Sequence, residues 1–164
     1  MSTSPCIWQQ QNRRKTKMII IQKSIGTKAP PKKIWPLLTE PNQIMRWFTA
    51  VQEFKYTSRR RSGAGITFYY MEKVGPRLMK FNFKVTEWEK EEKLGFTMTE
   101  GPMKKNDQAW IVKANPKGSV FTILMEMEMP WGIIGRILEI LFVNRMAEKH
   151  VKEALTNLRR LAEV

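Results

Sequence analysis

Along residues 78–88 apolar and polar side chains alternate: Met79, Phe81, Phe83 and Val85 take turns with Lys80, Asn82, Lys84 and Thr86. A period of two describes a strand with one dry and one wet face, so its sheet must be covered on one side only. A cover is available at the end of the chain. After Pro130 the apolar positions Ile133, Ile137, Leu141, Val151, Leu155, Leu158 and Ala162 recur mainly at steps of three and four. That is the period of an amphipathic helix about thirty residues long, spanning roughly 45 Å, enough to cross an antiparallel sheet from corner to corner.

The remaining chain fits the same plan. Ile-rich Met18 to Ile25, closed by Gly26, predicts a first strand. Lys32 to Leu38 and Asn42 to Phe48 each follow a proline suited to a first helical turn, and predict two short helices. Extended stretches follow at Val51 to Arg60, Gly65 to Val74, Leu78 to Trp88, Leu94 to Thr99, Gln108 to Ala114 and Ser119 to Met129, separated by Gly, Pro and Asn punctuation. The chain carries no internal repeat and no sustained heptad run. Its 164 residues suit one α+β domain over 17–164, preceded by a basic leader of polar composition over 1–16.

Charge limits the partners. Lys and Arg total 29 against 15 Asp and Glu, a formal +14, and no acid precedes Glu40 although eight bases do. Anionic partners are therefore favoured. Cys6 is the only cysteine, which excludes an intrachain disulfide and a thiolate zinc cluster. The longest apolar candidate, Ile133 to Val143, is broken by Gly135, Arg136 and Glu139 and is too short to span a bilayer. The first twenty residues lack the order of a secretory signal. A cytoplasmic protein, with peripheral membrane contact allowed, is the expectation.

The order strand, two helices, six strands, long helix resembles the helix-grip fold of the SRPBCC superfamily, which includes START lipid-transfer domains, the birch-pollen-allergen group and, nearest to this chain, the polyketide cyclase/dehydrase group. The resemblance is carried by Ile25 to Leu38 (IGTKAPPKKIWPLL), Pro41, Trp47, the Gly63-x-Gly65 turn, Phe81 to Trp88, and the ending Glu153 to Glu163. It covers about 17–164 and implies a curved sheet of about seven strands around the terminal helix. A concave apolar pocket between the two is implied as well, because side chains do not completely fill the space. Trp131, Gly132 and Gly135 lie where the helix could tilt at the mouth, or where it simply begins.

Eleven methionines supply adaptable packing, among them Met71, Met79, Met98, Met125, Met127 and Met129 in the strands. The ligand-lining candidates are Phe68, Tyr70, Phe81, Phe83, Phe96, Met98, Trp110, Phe121, Ile137, Leu141, His150 and Ala154; plain core packing explains the same side chains. His150, the single histidine, falls in helical step with Val143, Ala147 and Ala154 beside the buried stripe, where it could move a proton or hold an ordinary hydrogen bond. Tyr70 and Glu126 are the other catalytic candidates, with Tyr69 and Glu72 as further polar groups able to project inward. Alternation with Phe121, Ile123, Met125 and Met127 favours a solvent-facing Glu126.

There is no nucleotide loop, HExxH pair, GxSxG elbow or carboxylate-histidine cluster, so no metal or cofactor is expected. Arg59, Arg60, Arg61, Lys104 and Lys105 fall at turns where they could meet anionic head groups, or remain solvated. No helix-turn-helix, RNP-like motif or zinc finger supports nucleic-acid readout. Three readings stay open: an apolar-ligand carrier or sensor holding a lipid, sterol-like or polyketide-like molecule; a cyclase or dehydratase using the same pocket; and a basic nucleic-acid- or partner-binding module with its interior filled.

Overall fold

The computed structural model describes residues 18–130 and 137–164, the side chains of 137–140 excepted. The leader with Cys6, and Trp131, Gly132, Ile133, Gly135 and Arg136, lie outside the described residues. Strand β1 (Met18–Thr27) leads into helices α1 (Pro31–Thr39) and α2 (Pro41–Trp47). Strands β2 (Val51–Tyr56), β3 (Thr67–Val74), β4 (Arg77–Glu89), β5 (Lys93–Glu100), β6 (Lys105–Asn115) and β7 (Gly118–Glu128) follow, and helix α3 (Ile137–Ala162) closes the chain.

The seven strands form one antiparallel sheet in the order β1-β7-β6-β5-β4-β3-β2. With α3 packed against β1 and α2, this is the helix-grip arrangement. Register aligns the inward residues in rows. Ile21 faces Met125, Val112 faces Phe121, Val85 faces Phe96 and Phe68 faces Phe83. Register shifts occur at Val51/Glu53, Asn82/Phe83 and Val85/Glu87, irregularities of the kind that bend a strand.

Each short helix has proline at its start, where a missing N–H costs nothing. The inward faces, Ile34, Trp35, Leu37 and Leu38 of α1 and Ile44 and Trp47 of α2, are buried. Gly118 is required where β6 turns into β7: its φ is +139° and a Cβ there would lie 2.2 Å from the Thr27 carbonyl oxygen.

Some expectations shift. The second strand ends at Tyr56 instead of Arg60, since the chain then enters a loop in which Arg60 Nη2 donates to the Ala64 carbonyl. Leu141 is 44% exposed, off the helix's buried stripe of Val151, Ala154, Leu155, Leu158 and Ala162. Ten residues separate Leu141 from Val151, and at about 100° per residue that step stops roughly 80° short of whole turns. No described helix is long and apolar enough to cross a membrane.

Candidate functional site

Aromatic rings fill much of the space between sheet and helix. Phe68 stacks on Phe83 with centroids 5.3 Å apart, Phe83 meets Phe96 edge-on at 5.2 Å, and Phe96 meets Trp110 at 5.1 Å. Trp47 of α2 closes the chain of contacts against Trp110 and Phe121 at 5.1 and 5.8 Å. Phe68, Phe83, Phe96, Trp110 and Phe121 are all at most 3% exposed and pack against one another. These five expected pocket-lining residues make a solid core. Ala154 is buried with them, and half-buried Met98 packs against their edge.

A small space lies under the first half of α3. It is a cavity of about 30 Å³ walled by Phe48, Phe81, Met103, Met125, Met127 and Met146. Val143, Ala147 and Val151 of the helix form its roof, and Glu72, Asn106 and His150 are its polar lining. Of the expected lining residues, Phe81 and His150 are here. The side chain of Ile137 lies outside the described residues. The implied concave pocket is thus a small one: bulky rings from β3 to β7 occupy the concavity.

Parity explains the polar groups. Phe68, Tyr70 and Glu72 lie on one face of β3, pointing inward, while Tyr69 faces out and donates to Glu53 at 2.7 Å. Glu72 therefore sits under the helix, where its Oε1 lies 3.1 Å from His150 Nδ1; the side chains are 12% and 18% exposed. An ionised carboxylate only accepts, so Nδ1–H donates, fixing the imidazole's orientation at the cavity wall. Deeper in, Gln108 Nε2 donates to the Tyr70 hydroxyl and to Asn106 Oδ1, both at 3.2 Å. Gln108 Oε1 and Trp110 Nε1 are buried and have no hydrogen-bond partner among the described residues. Burial, and then the Glu72 charge, pushes the Tyr70 phenol well above its usual range, which leaves it a hydrogen-bonding group and not a base at neutral pH.

Glu126 is corrected as a catalytic candidate. It lies on the outer face of β7, between buried Met125 and Met127, with its carboxylate 3.6 Å from Lys105 Nζ. The basic turns are also partly neutralised. Lys104 pairs with Glu128 and Lys105 with Asp107, and Arg61 lies over the Tyr56 ring at 5.4 Å, while Arg59, Arg60 and Arg61 are all exposed. Among the described residues no group of three or more His, Cys, Asp or Glu side chains could hold a metal ion.

The sequence reading did not select Asn106, Gln108, Met103, Phe48 or Met146. Alternation with Trp110 and Val112 turns Gln108 inward even in a strand begun at Gln108, and turns Asn106 inward as well once β6 begins at Lys105.

The cavity adjoins an outer groove. That groove, about 530 Å³ and open to solvent, runs between α3 and the ends of β2 and β3, and Met146 and His150 line both spaces. The Gly75 N–H donates to Met146 Sδ at 3.2 Å, tying the helix to the β3–β4 turn at the cavity wall.

A family model described as polyketide cyclase / dehydrase and lipid transport matches residues 18–163. The chain belongs to this family. Its membership in the polyketide cyclase/dehydrase and lipid-transport family, within the SRPBCC superfamily, agrees with solved structures similar to it. TTHA0849 from Thermus thermophilus superposes with a TM-score of 0.73 at 17% identity, covering 89% of this chain and 97% of that one. The Zhui aromatase/cyclase from Streptomyces sp. R1128 gives 0.69 at 11% identity, covering 89% and 94%. At these identities the likeness is one of fold. No curated protein matches the sequence. This family member thus has the helix-grip frame, with His150 and Glu72 at the boundary between a small interior cavity and an open groove.

Proposed function

We propose that the protein binds a hydrophobic small molecule, such as a lipid, sterol-like or polyketide-like compound, between the sheet and α3, as a carrier or sensor and without covalent chemistry. The observation that carries this reading is the cavity wall: four methionines, Met103, Met125, Met127 and Met146, around a space whose polar lining is Glu72, Asn106 and His150 alone. At about 30 Å³ the space takes roughly one water. Drug-sized ligands occupy sites of about 300 Å³ or more, so a guest must displace the wall. Unbranched thioether side chains rearrange at low cost. Movement of Met146 would join the cavity to the groove outside.

Native mass spectrometry of the purified protein, followed by solvent extraction, tests this. The expected result is a population heavier than the chain, carrying an extractable apolar molecule. Repeated preparations at the bare chain mass that also take up no added 1-decanol would contradict it and favour the module with a filled interior.

A second reading, an enzyme of the cyclase or dehydratase kind, is favoured by one observation, the 3.1 Å His150–Glu72 contact at the cavity wall. An oriented imidazole there could relay a proton to a folded guest. Turnover lost in His150→Ala with guest binding retained would select that reading over the carrier.

A further inference from the structure

We infer that the guest is an amphiphile with an anionic head, the head resting in the outer groove on Lys73, Arg145 and Lys149 while its apolar tail passes the Met146–His150 wall. This rests on the pocket reading and specifies its ligand class. The three cations line the groove together with a single carboxylate, Glu153, so the mouth has a local surplus of positive charge. Glu153 lies 3.9 Å from Lys149, a helical i,i+4 pair. Among the described residues Lys73 and Arg145 have no ion-pair partner, whereas Lys23, Lys55, Lys93 and Lys105 on the sheet each have a carboxylate within reach.

The interior has the opposite sign. Glu72 projects into the cavity and is met there by His150, so an anion driven past the wall would meet a half-buried carboxylate in a weakly screened setting. Charge thus sorts the two ends of the molecule: head outside on the cations, tail inside on the methionines. Phe142, which lines the same groove and is 58% exposed, offers an apolar surface to the first methylenes beyond the head.

The test is calorimetric titration of the full chain with four ten-carbon probes: decanoate, decyl phosphate, 1-decanol and decyltrimethylammonium. Decanoate or decyl phosphate is expected to bind about tenfold more tightly than 1-decanol, with the cation weakest, and the order of the two anions tells a carboxylate-headed guest from a phosphate-headed one. In the triple variant Lys73→Ala, Arg145→Ala, Lys149→Ala, all exposed positions, the anions should lose about tenfold in affinity while 1-decanol changes less than twofold, as three solvent-exposed pairings would give. Raised salt should shrink the preference in the parent chain. Equal affinity for decanoate, decyl phosphate and 1-decanol overturns the head-group assignment and leaves the pocket standing. An anion preference that survives in the triple variant overturns these three residues as the site. Failure of all four probes to bind overturns the pocket reading itself, and this inference with it.

Discussion

Replacing Trp47 by alanine is expected to cost about 3–5 kcal/mol of folding stability, near the upper end for a single core substitution. The indole is fully buried at the end of α2 and its Nε1–H donates to the Leu37 carbonyl at 2.7 Å. Its ring touches Phe48, Trp110 and Phe121, so one side chain joins both short helices to the sheet. The Trp47 carbonyl in turn accepts from Asn157 of α3 at 3.4 Å. Alanine leaves a cavity among rings that cannot collapse into it and removes the donor to a buried carbonyl. For a chain of this size the melting temperature should fall by roughly 6–20 °C. Guanidinium unfolding of the two proteins measures the difference, and a loss under about 1 kcal/mol would show that the aromatic cluster is not the structural centre described here.

Much of this cluster was legible because period-two alternation survives any uncertainty about strand ends. Met79, Phe81, Phe83 and Val85 point one way in the sequence and line one face in the structure, where Phe81, Phe83 and Val85 are buried. Proline at Pro31 and Pro41 likewise marked both short helices to within a residue. Other features depended on quantities that local pattern does not contain. Leu141 is in helical step with Ile137, but the ten residues between it and Val151 carry it out of phase with the buried stripe. Glu72 was recognisable as able to point inward, but its partner lies 78 positions later, and only the antiparallel register and the seating of α3 bring them together. The amount of empty space was the least readable of all. It depends on how Phe68, Phe83, Phe96 and Trp110 interlock, and one ring turned by a rotamer changes it more than any alteration of the strand order.

Substitution of Ala147 by phenylalanine is the second large effect, on binding instead of stability. Ala147 lies in the cavity roof on α3, half-buried, facing a space of about 30 Å³. A benzyl group there must push aside Met125 and Met127 as a guest would, and then occupies the room so made. Uptake of 1-decanol should be abolished, at a cost of about 1–3 kcal/mol in stability from the forced repacking. Leu141→Ala, on the exposed side of the same helix, should change uptake less than twofold. Parent-like affinity in Ala147→Phe, with the fold intact by circular dichroism, would place the guest elsewhere on the molecule.

The central claim is that the methionine wall yields to admit an apolar guest beneath α3, and the methyl groups of that wall can report on it directly. In protein labelled at methionine methyl carbons, titration with 1-decanol should shift the signals of Met103, Met125, Met127 and Met146 in saturable fashion, with Met18, 43% exposed on β1, unmoved as an internal control. Saturation of all four at one midpoint is the predicted result. Wall methyls that stay fixed up to the solubility limit of the alcohol would contradict the account.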